Sequence, residues 1–397
     1  MILVLIFGVV LLVSVLLSDI ANRTVLSTAV LFLFAGFLCG GVFGWIDIRP
    51  GDPTVSGIAE LALIAVLFTD GMKVGFRECA SVWRLPGRAL LFGLPLTLVL
   101  TAVMCRFIVG LGWLQSFLIG AVLSPTDPVF AAAIVGREHI PARLRHLLNV
   151  ESGVNDGLAL PIVLALLSAA GAKAIGGGVL ALELVGGVAI GIIVPLVAIL
   201  LERRTWLTVS SDYGPLFAVA IGIIVWSAAV LSHGNEFLAA FAAGITVVSI
   251  HSDLREQFER FGGLLTEVLK LGALLLFGAM ISPEFLVQSS WRDYVFVFVA
   301  LLLARPIALL VALLGARLGL HEKLVAAWFG PKGFASVVYA MMVLRSNIPD
   351  AEHLFHLIAL VIAVSIVAHS SSDVPIARWL PRKHENRASK RKELTTP

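Results

Sequence analysis

The sequence predicts an all-α, polytopic membrane protein with about thirteen transmembrane helices. Of its 397 residues, 59% are hydrophobic and only 14% are charged, whereas soluble domains carry about 25% charged residues. The mean hydropathy of +0.98 is too high for a surface that faces water. The apolar residues fall into runs of about 20, the length that crosses the hydrocarbon core of a bilayer. These observations exclude a soluble enzyme, a nucleic-acid-binding protein and a disordered chain.

The apolar segments are separated by short loops, which leave no room for a large soluble domain. The first segment has no basic residue before its apolar run, so we expect a retained span rather than a signal peptide. The segments are 1–18, 24–45, 56–72, 89–109, 113–136, 147–170, 177–201, 213–231, 237–250, 263–282, 293–315, 322–344 and 354–376.

The lysines and arginines of the loops divide unequally between the two sides of the membrane. Alternate loops, beginning with the loop that holds Arg23, carry most of them together with the C-terminal tail. The opposite loops hold only Arg49, Arg106, Lys173, Arg292 and Arg345. By the positive-inside rule, we expect residues 1–376 to form one membrane domain with its N-terminus outside, and 377–397 to form a short basic cytoplasmic tail.

Charged residues within the predicted spans are functional candidates, because each costs several kcal/mol in lipid unless it is paired or hydrated. Glu267 and Lys270 stand three positions apart on one predicted helix, so we expect them to pair with each other rather than with a substrate. The charged residues within spans include Asp127, Glu151, Asp156, Glu183, Glu267, Lys270, Arg305 and Lys332.

A helix break is predicted at residues 124–128, where the chain reads Ser-Pro-Thr-Asp-Pro within an apolar segment. Each proline removes a backbone donor and clashes with the preceding turn. Broken helices are tolerated in lipid where the freed carbonyls line a cavity, and transporters use them to coordinate ions. Asp127 is therefore expected beside an unwound turn that faces an ion site. The alternative is a proline kink with a capping aspartate.

The next segment carries Glu-Ser-Gly-Val-Asn-Asp-Gly at 151–157. On a helix, Ser152 and Asp156 share one face, and Glu151 and Asn155 share the neighbouring face. A hydroxyl, two carboxylates and an amide are the oxygen ligands that hard monovalent cations prefer, whereas transition metals prefer His and Cys. The alternative is a polar network that locks two helices together.

Asp156 is the residue expected to exchange a proton for a cation. A low-dielectric environment disfavours the charged form of a carboxylate, so a buried carboxylate holds either a proton or a cation. The neighbour at position 155 is Asn rather than a second Asp. One exchangeable carboxylate implies one proton per monovalent cation and no net charge moved.

The Ser-Pro-Thr-Asp-Pro run followed by Glu-Ser-x-x-Asn-Asp resembles the monovalent cation:proton antiporters, in the branch of the prokaryotic NhaP proteins and eukaryotic sodium/proton exchangers. The resemblance covers residues from about 60 to 345. Further matching pieces lie at 67–72 (Leu-Phe-Thr-Asp-Gly-Met), 237–244 (Phe-Leu-Ala-Ala-Phe-Ala-Ala-Gly), 304–306 (Ala-Arg-Pro) and 329–333 (Phe-Gly-Pro-Lys-Gly).

The resemblance implies an inverted-repeat antiporter fold with two crossed broken helices, a homodimer, and a mobile core that rocks against a scaffold. It implies a multi-pass protein of the plasma membrane that exchanges Na+, or else Li+ or K+, for H+ and needs no resident cofactor. The residue roles that it implies are cation coordination by Asp127, Ser152, Asp156 and the main chain at Thr126, support of Asp156 by Asn155, and pairing of Glu151 with Arg305.

Lys332 lies between Pro331 and Gly333, which predicts a second helix break opposite the first. With Asp127, Lys332 is expected to offset the partial charges of the broken helix ends. The chain departs from the family at Lys332, where an arginine is frequent, and lysine cannot form a bidentate fork.

Two other functions remain open at this point. Asp127 and Asp156 could share a proton in an intramembrane aspartyl hydrolase, although the Ser152 and Asn155 neighbours favour ion binding. A cation channel is the other alternative, and the sequence shows no symmetric filter loop that would favour it.

Overall fold

A computed structural model of the chain describes residues 1–17, 27–46, 53–75, 84–127, 141–171, 177–203, 210, 213–251 and 253–379. These residues form helices and no strand, and every one of the thirteen predicted segments contains a helix. The helices of the first half are α1 (Ile2–Leu16), α2 (Thr28–Val42), α3 (Pro53–Lys73), α4 (Arg84–Ile108), α5 (Trp113–Leu123), α6 (Ala142–Ala169) and α7 (Gly177–Glu202). Those of the second half are α8 (Gly214–Leu231), α9 (Glu236–Ile250), α10 (Asp253–Ala279), α11 (Pro283–Gln288), α12 (Trp291–Ala312), α13 (Leu320–Trp328), α14 (Phe334–Arg345) and α15 (Ala351–Trp379).

The described part of the chain is a polytopic membrane protein. Seven of its helices are long and apolar enough to cross a bilayer, and five shorter apolar helices accompany them. Helices dominate because the hydrocarbon core offers no water to satisfy backbone N–H and C=O groups. Helix α15 continues through Trp379, and residues 380–397 of the predicted tail lie outside the described residues.

The same order of elements occurs twice along the described residues. Helix α4 contains a π-helical turn at Ala89–Gly93 followed by Pro95, and α12 contains one at Ala300–Ala304 followed by Pro306. Each proline removes a backbone donor and forces the preceding turn to widen. After each of these helices comes a shorter one, α5 or α13, that ends in a non-helical break. The 28-residue α6 is the next described helix after the first break, whereas the 12-residue α14 precedes the 29-residue α15 after the second. The shared part of this order, a helix with a π-helical turn followed by a short helix and a break, is what an internal repeat requires.

Helix contacts divide most of the fold into two bundles. Helices α4, α5, α6, α12, α13, α14 and α15 pack mainly on one another and are called the core bundle. Helices α1, α2, α3, α7, α8, α9 and α10 do the same and are called the scaffold bundle. Both extended breaks belong to the core bundle, and α3, α9 and α10 of the scaffold face α6 and α14. Polar groups at the breaks are therefore enclosed between the two bundles.

Candidate functional site

The two breaks of the core bundle meet. Helix α5 ends at Leu123 and the chain is extended to Asp127, while residues 329–333 are extended between α13 and α14. The backbone N–H of Asp127 donates to the carbonyl of Pro331 over 3.0 Å. A Cβ atom at Gly333 would overlap the Cβ of Asp127, so only glycine permits this approach. The structure therefore brings both predicted breaks to one point, although the continuation of the first beyond Asp127 lies outside the described residues.

Asp127 lies at the start of α14. Its Oδ2 atom accepts a long hydrogen bond of 3.4 Å from the backbone N–H of Phe334, and the residue is 4% exposed. A carboxylate at the N-terminus of a helix is stabilised by the partial positive charge of the unpaired N–H groups. Asp127 thus compensates the broken end of a helix that is distant in sequence.

The Thr126 hydroxyl fixes the first break against α6. Its Oγ1 atom accepts a 2.8 Å hydrogen bond from the side-chain amide of Asn155 and lies 3.1 Å from the Ser152 hydroxyl. All three side chains are buried. The sequence-based prediction assigned Thr126 a main-chain role and placed Asn155 as a support of Asp156. In the structure, the Thr126 hydroxyl accepts the hydrogen bond that the Asn155 amide donates, and it also contacts the Ser152 hydroxyl.

Asp156 presents an oxygen atom that has no hydrogen-bond partner among the described residues. The residue is 2% exposed, and its Oδ1 atom is buried and unpaired. The carbonyl oxygen of the neighbouring Asn155 side chain is in the same condition. An unsatisfied buried acceptor costs about 1–3 kcal/mol, and more when it is charged. A proton or a desolvated cation would satisfy the Asp156 oxygen, and a cation also suits the Asn155 carbonyl oxygen.

The main chain at Asp156 is held separately from its carboxylate. The Tyr339 hydroxyl on α14 donates to the Asp156 carbonyl over 2.8 Å. Tyr339 is fully buried. The carboxylate can therefore change its occupant without loss of this contact.

The predicted pairing of Glu267 with Lys270 is wrong. The Lys270 ammonium lies 3.3 Å from Asp127 Oδ2, with 10% and 5% of the two side chains exposed. Lys270 is buried where Asp127 and Asp156 of the core bundle and Asp70 of the scaffold helix α3 all contribute negative charge. Spacing along a helix predicts a local pair only where no stronger tertiary partner competes. Asp127 is that partner.

Asp70 is a residue of this region that sequence reasoning missed. It is 8% exposed and pairs with Lys73 over 2.7 Å at the end of α3. Next to Asp70, the Thr69 hydroxyl lies 3.0 Å from the Thr266 hydroxyl and joins α3 to α10. The available signal was an aspartate inside an apolar segment, and Asp70 appeared in the sequence-based prediction only as part of the matching piece at 67–72, without a role.

Glu151 and Arg305 form the ion pair expected from the sequence. Two guanidinium nitrogens contact the two carboxylate oxygens over 2.7 and 3.1 Å, and both residues are buried. One of those nitrogens also donates to the carbonyl of Phe329 over 3.2 Å, at the end of α13. Gly330 has no room for a Cβ atom because Arg305 occupies that space. Arg305 therefore satisfies a carbonyl that the second break would otherwise leave unpaired.

Lys332 lies in the second break and is 5% exposed. Its backbone N–H donates to the Ser365 hydroxyl over 2.9 Å, which fixes the break to α15. Its ammonium lies in the electrostatic field of Arg305 and Glu151, and within the described residues it has no carboxylate within 4 Å. Arg305 and Asp127 provide part of the charge compensation at the broken helix ends that was expected from Lys332. Arg305 contacts the Phe329 carbonyl and Asp127 contacts the Phe334 N–H.

The chain matches known proteins along nearly its whole length. The profile of the family described as sodium/hydrogen exchanger, transmembrane, matches residues 8–379. The K+/H+ antiporter NhaP of Alkalimonas amylolytica is 30% identical over 387 residues, which cover 95% of this chain and 66% of that protein. The K+/H+ antiporter NhaP2 of Shewanella sp. strain MR-4 is 24% identical over 381 residues, with 92% and 65% covered. The chain thus spans just under two thirds of the length of these relatives.

A solved structure has the same fold. The sodium proton antiporter MjNhaP1 of Methanocaldococcus jannaschii superposes with a TM-score of 0.77 at 17% sequence identity. The superposition covers 95% of this chain and 99% of that one. The fold expected from the sequence motifs is therefore confirmed.

Proposed function

The chain belongs to the sodium/hydrogen exchanger family, and from this premise we propose that it exchanges a monovalent cation for protons across the plasma membrane. The names of the relatives support an alkali metal ion as substrate. The observation that carries the proposal is the pair of buried, unpartnered oxygens on Asp156 and Asn155 beside two meeting helix breaks. A hard monovalent cation prefers ligands of this kind.

In the proposed mechanism, the Asp156 carboxylate holds a proton in one half of the cycle and the cation in the other. Asp127, Ser152 and Thr126 supply the remaining oxygens, since their side chains surround the same break. Asn155 holds Thr126 in place. Because a single carboxylate changes its occupant, one proton exchanges for one cation and no net charge moves.

Alternating access is proposed to arise from rocking of the core bundle against the scaffold bundle. The separation of helix contacts into these two groups supports rigid-body motion. The ion site travels with the core bundle because both breaks and α6 belong to it. Glu151 and Arg305 keep α6, α12 and the second break together during this motion.

We further propose that the protein forms a homodimer through the scaffold bundle. Only 22% of the apolar window of α7 and 28% of that of α8 are buried, against 67% for the window in α15. Among the seven long apolar helices, α7 and α8 therefore have the least buried apolar windows, which face lipid or a second copy. Chemical cross-linking in native membranes, followed by determination of the mass of the linked species, tests the proposal.

The aspartyl hydrolase is disfavoured by the geometry. Such an enzyme needs two carboxylates that share one proton. Here Asp127 Oδ2 already contacts the Lys270 ammonium and the Phe334 backbone N–H. A carboxylate neutralised by a lysine has little affinity for a shared proton.

The exchange function is tested in proteoliposomes loaded with a pH-sensitive dye and given an imposed pH gradient. Addition of Na+, Li+ or K+ should collapse the gradient for the wild type. Asp156→Asn should lower the rate at least a hundredfold, because an amide cannot exchange a proton for a cation. Glu183→Gln is the matched control, since Glu183 is an intramembrane carboxylate on α7 outside the site. Equal rates for the wild type and Asp156→Asn would overturn the proposal.

A further inference from the structure

We propose that the Lys270 ammonium binds Asp127 in place of the transported ion. This ion pair holds the scaffold bundle against the core bundle until a transported ion displaces the ammonium. The inference rests on the proposed exchange function and adds to it a residue that the sequence motifs of the site do not contain. It assigns Lys270 a direct effect on cation affinity.

The first observation is where the ion pair lies. Lys270 belongs to α10 of the scaffold bundle and Asp127 to the break of the core bundle, and their charged atoms lie 3.3 Å apart with both side chains buried. A second ion pair between the bundles, Arg345 with Glu60, leaves about two fifths of each side chain exposed. Exposed pairs contribute little. The buried Lys270 contact therefore resists movement of the bundles more than this exposed pair does.

The second observation is the charge of the enclosed groups. Asp127, Asp156 and Lys270 interact electrostatically with one another, and when these three are ionised their charges sum to minus one. Glu267, on the wall of the neighbouring cavity, adds a further negative charge when it is ionised. One proton or one monovalent cation brings the sum of the three to zero. A net charge is costly to move through a low-dielectric protein within a bilayer. While Lys270 is bound to Asp127, these three enclosed groups therefore lack one positive charge for neutrality.

The neighbouring Asp70–Lys73 pair leaves this sum unchanged. Its two charges cancel over 2.7 Å. Lys73 is 44% exposed at its side chain, so it is hydrated and held by its own carboxylate. It does not take the place of Lys270 beside Asp127.

The third observation is a cavity that reaches Lys270. It has a volume of about 220 Å³ and is lined by Thr69, Lys73, Arg255, Thr266, Glu267 and Lys270, among others. Its residues lie on the side that the distribution of basic residues assigns to the cytoplasm. An ion that arrives through this cavity meets Lys270 before Asp127. Glu267 lies in the field of the Lys270 ammonium and lines the same cavity, so a displaced ammonium has a carboxylate to approach.

The first experiment measures the KM for Na+, Li+ and K+ in the dye-loaded proteoliposomes. Lys270→Met removes the competing charge and should lower the KM at least tenfold. Lys270→Arg keeps a positive charge beside Asp127 and should stay within threefold of the wild type. Arg255→Met removes one positive charge from the same cavity, where the Arg255 guanidinium donates to the Lys73 carbonyl, and it should also stay within threefold. A KM for Lys270→Met that matches the wild type would overturn the inference.

The second experiment uses the wild type, so it does not depend on the folding of a variant. A small amine-reactive reagent is applied from the cavity side, and modification of Lys270 is quantified by mass spectrometry with and without transported cation. The cation should raise the labelling severalfold because it releases the ammonium from Asp127. Asp156→Asn, which is not expected to retain the cation, should show no rise. If the labelling of Lys270 in the wild type does not change when the cation is added, the proposed release of the ammonium from Asp127 is contradicted.

Failure of this inference and failure of the exchange function give different results. If the wild type shows no cation-dependent proton movement, the exchange function itself is wrong. If the wild type exchanges ions but Lys270→Met leaves the KM unchanged, the function stands and the role of Lys270 is wrong.

Discussion

Arg305→Ala should be among the most destabilising single substitutions in the core bundle. The change leaves the Glu151 carboxylate, which is 3% exposed, without its counter-ion. Removal of one partner of a buried ion pair costs about 3–5 kcal/mol. The Phe329 carbonyl loses the same donor, and an unsatisfied buried group adds about 1–3 kcal/mol. The expected total is therefore about 4–8 kcal/mol.

The shift in melting temperature follows from the size of the protein. Unfolding entropies of about 2 cal/mol/K per residue, measured for soluble proteins, convert this loss into a decrease of roughly 5–10 °C for a chain of this length. The decrease is measured by tryptophan fluorescence during heating in detergent, at one fixed scan rate.

Two controls separate the buried pair from a general effect of charge. Arg345→Ala removes the same side chain from an exposed ion pair with Glu60, and it should cost no more than about 1 kcal/mol. The double variant Glu151→Met with Arg305→Met replaces the pair by apolar side chains and should recover most of the lost stability. The reasoning is refuted if Arg305→Ala and Arg345→Ala melt at the same temperature, or if the double variant is no more stable than Arg305→Ala.

Two further predictions concern the meeting point of the breaks. Gly333→Ala should cost about 1–3 kcal/mol of stability and strongly reduce exchange, because its Cβ atom would overlap that of Asp127. Gly8→Ala in α1 is the control in the same melting and transport assays, because a Cβ atom at Gly8 meets open space. Thr126→Val should cost about 1–3 kcal/mol because the buried Asn155 amide loses its acceptor. Thr126→Ser, which keeps the hydroxyl, should restore both stability and exchange. If Thr126→Val melts and transports like the wild type, the hydrogen bond from Asn155 to the Thr126 hydroxyl does not stabilise the site.

The break at 329–333 shows how far the sequence reaches into the fold. One apolar segment was predicted at 322–344, and the structure divides it into α13 and α14. Pro331 and Gly333 made a break predictable, because proline removes a backbone donor. The contact of that break with Asp127 was not predictable from spacing, since it joins positions some two hundred residues apart.

The ion pairs were also only partly predictable from the sequence. Glu151 and Arg305 were paired correctly only through the resemblance to a family. Lys270 was assigned to Glu267 because local spacing is the only geometry that a single sequence offers. In each case the partner depends on which helices become neighbours.

The sequence by itself determined that this protein is a bundle of membrane helices, where each helix lies, and where two of them break. It could do so because hydrocarbon forces every backbone group to find its partner within its own segment, so each apolar run forms a helix irrespective of the others. Only the tertiary structure decided that Lys270 reaches Asp127, that the Thr126 hydroxyl holds α6, and that Asp156 keeps an unpaired oxygen. Those outcomes depend on side chains from helices distant in sequence competing for the same few polar atoms.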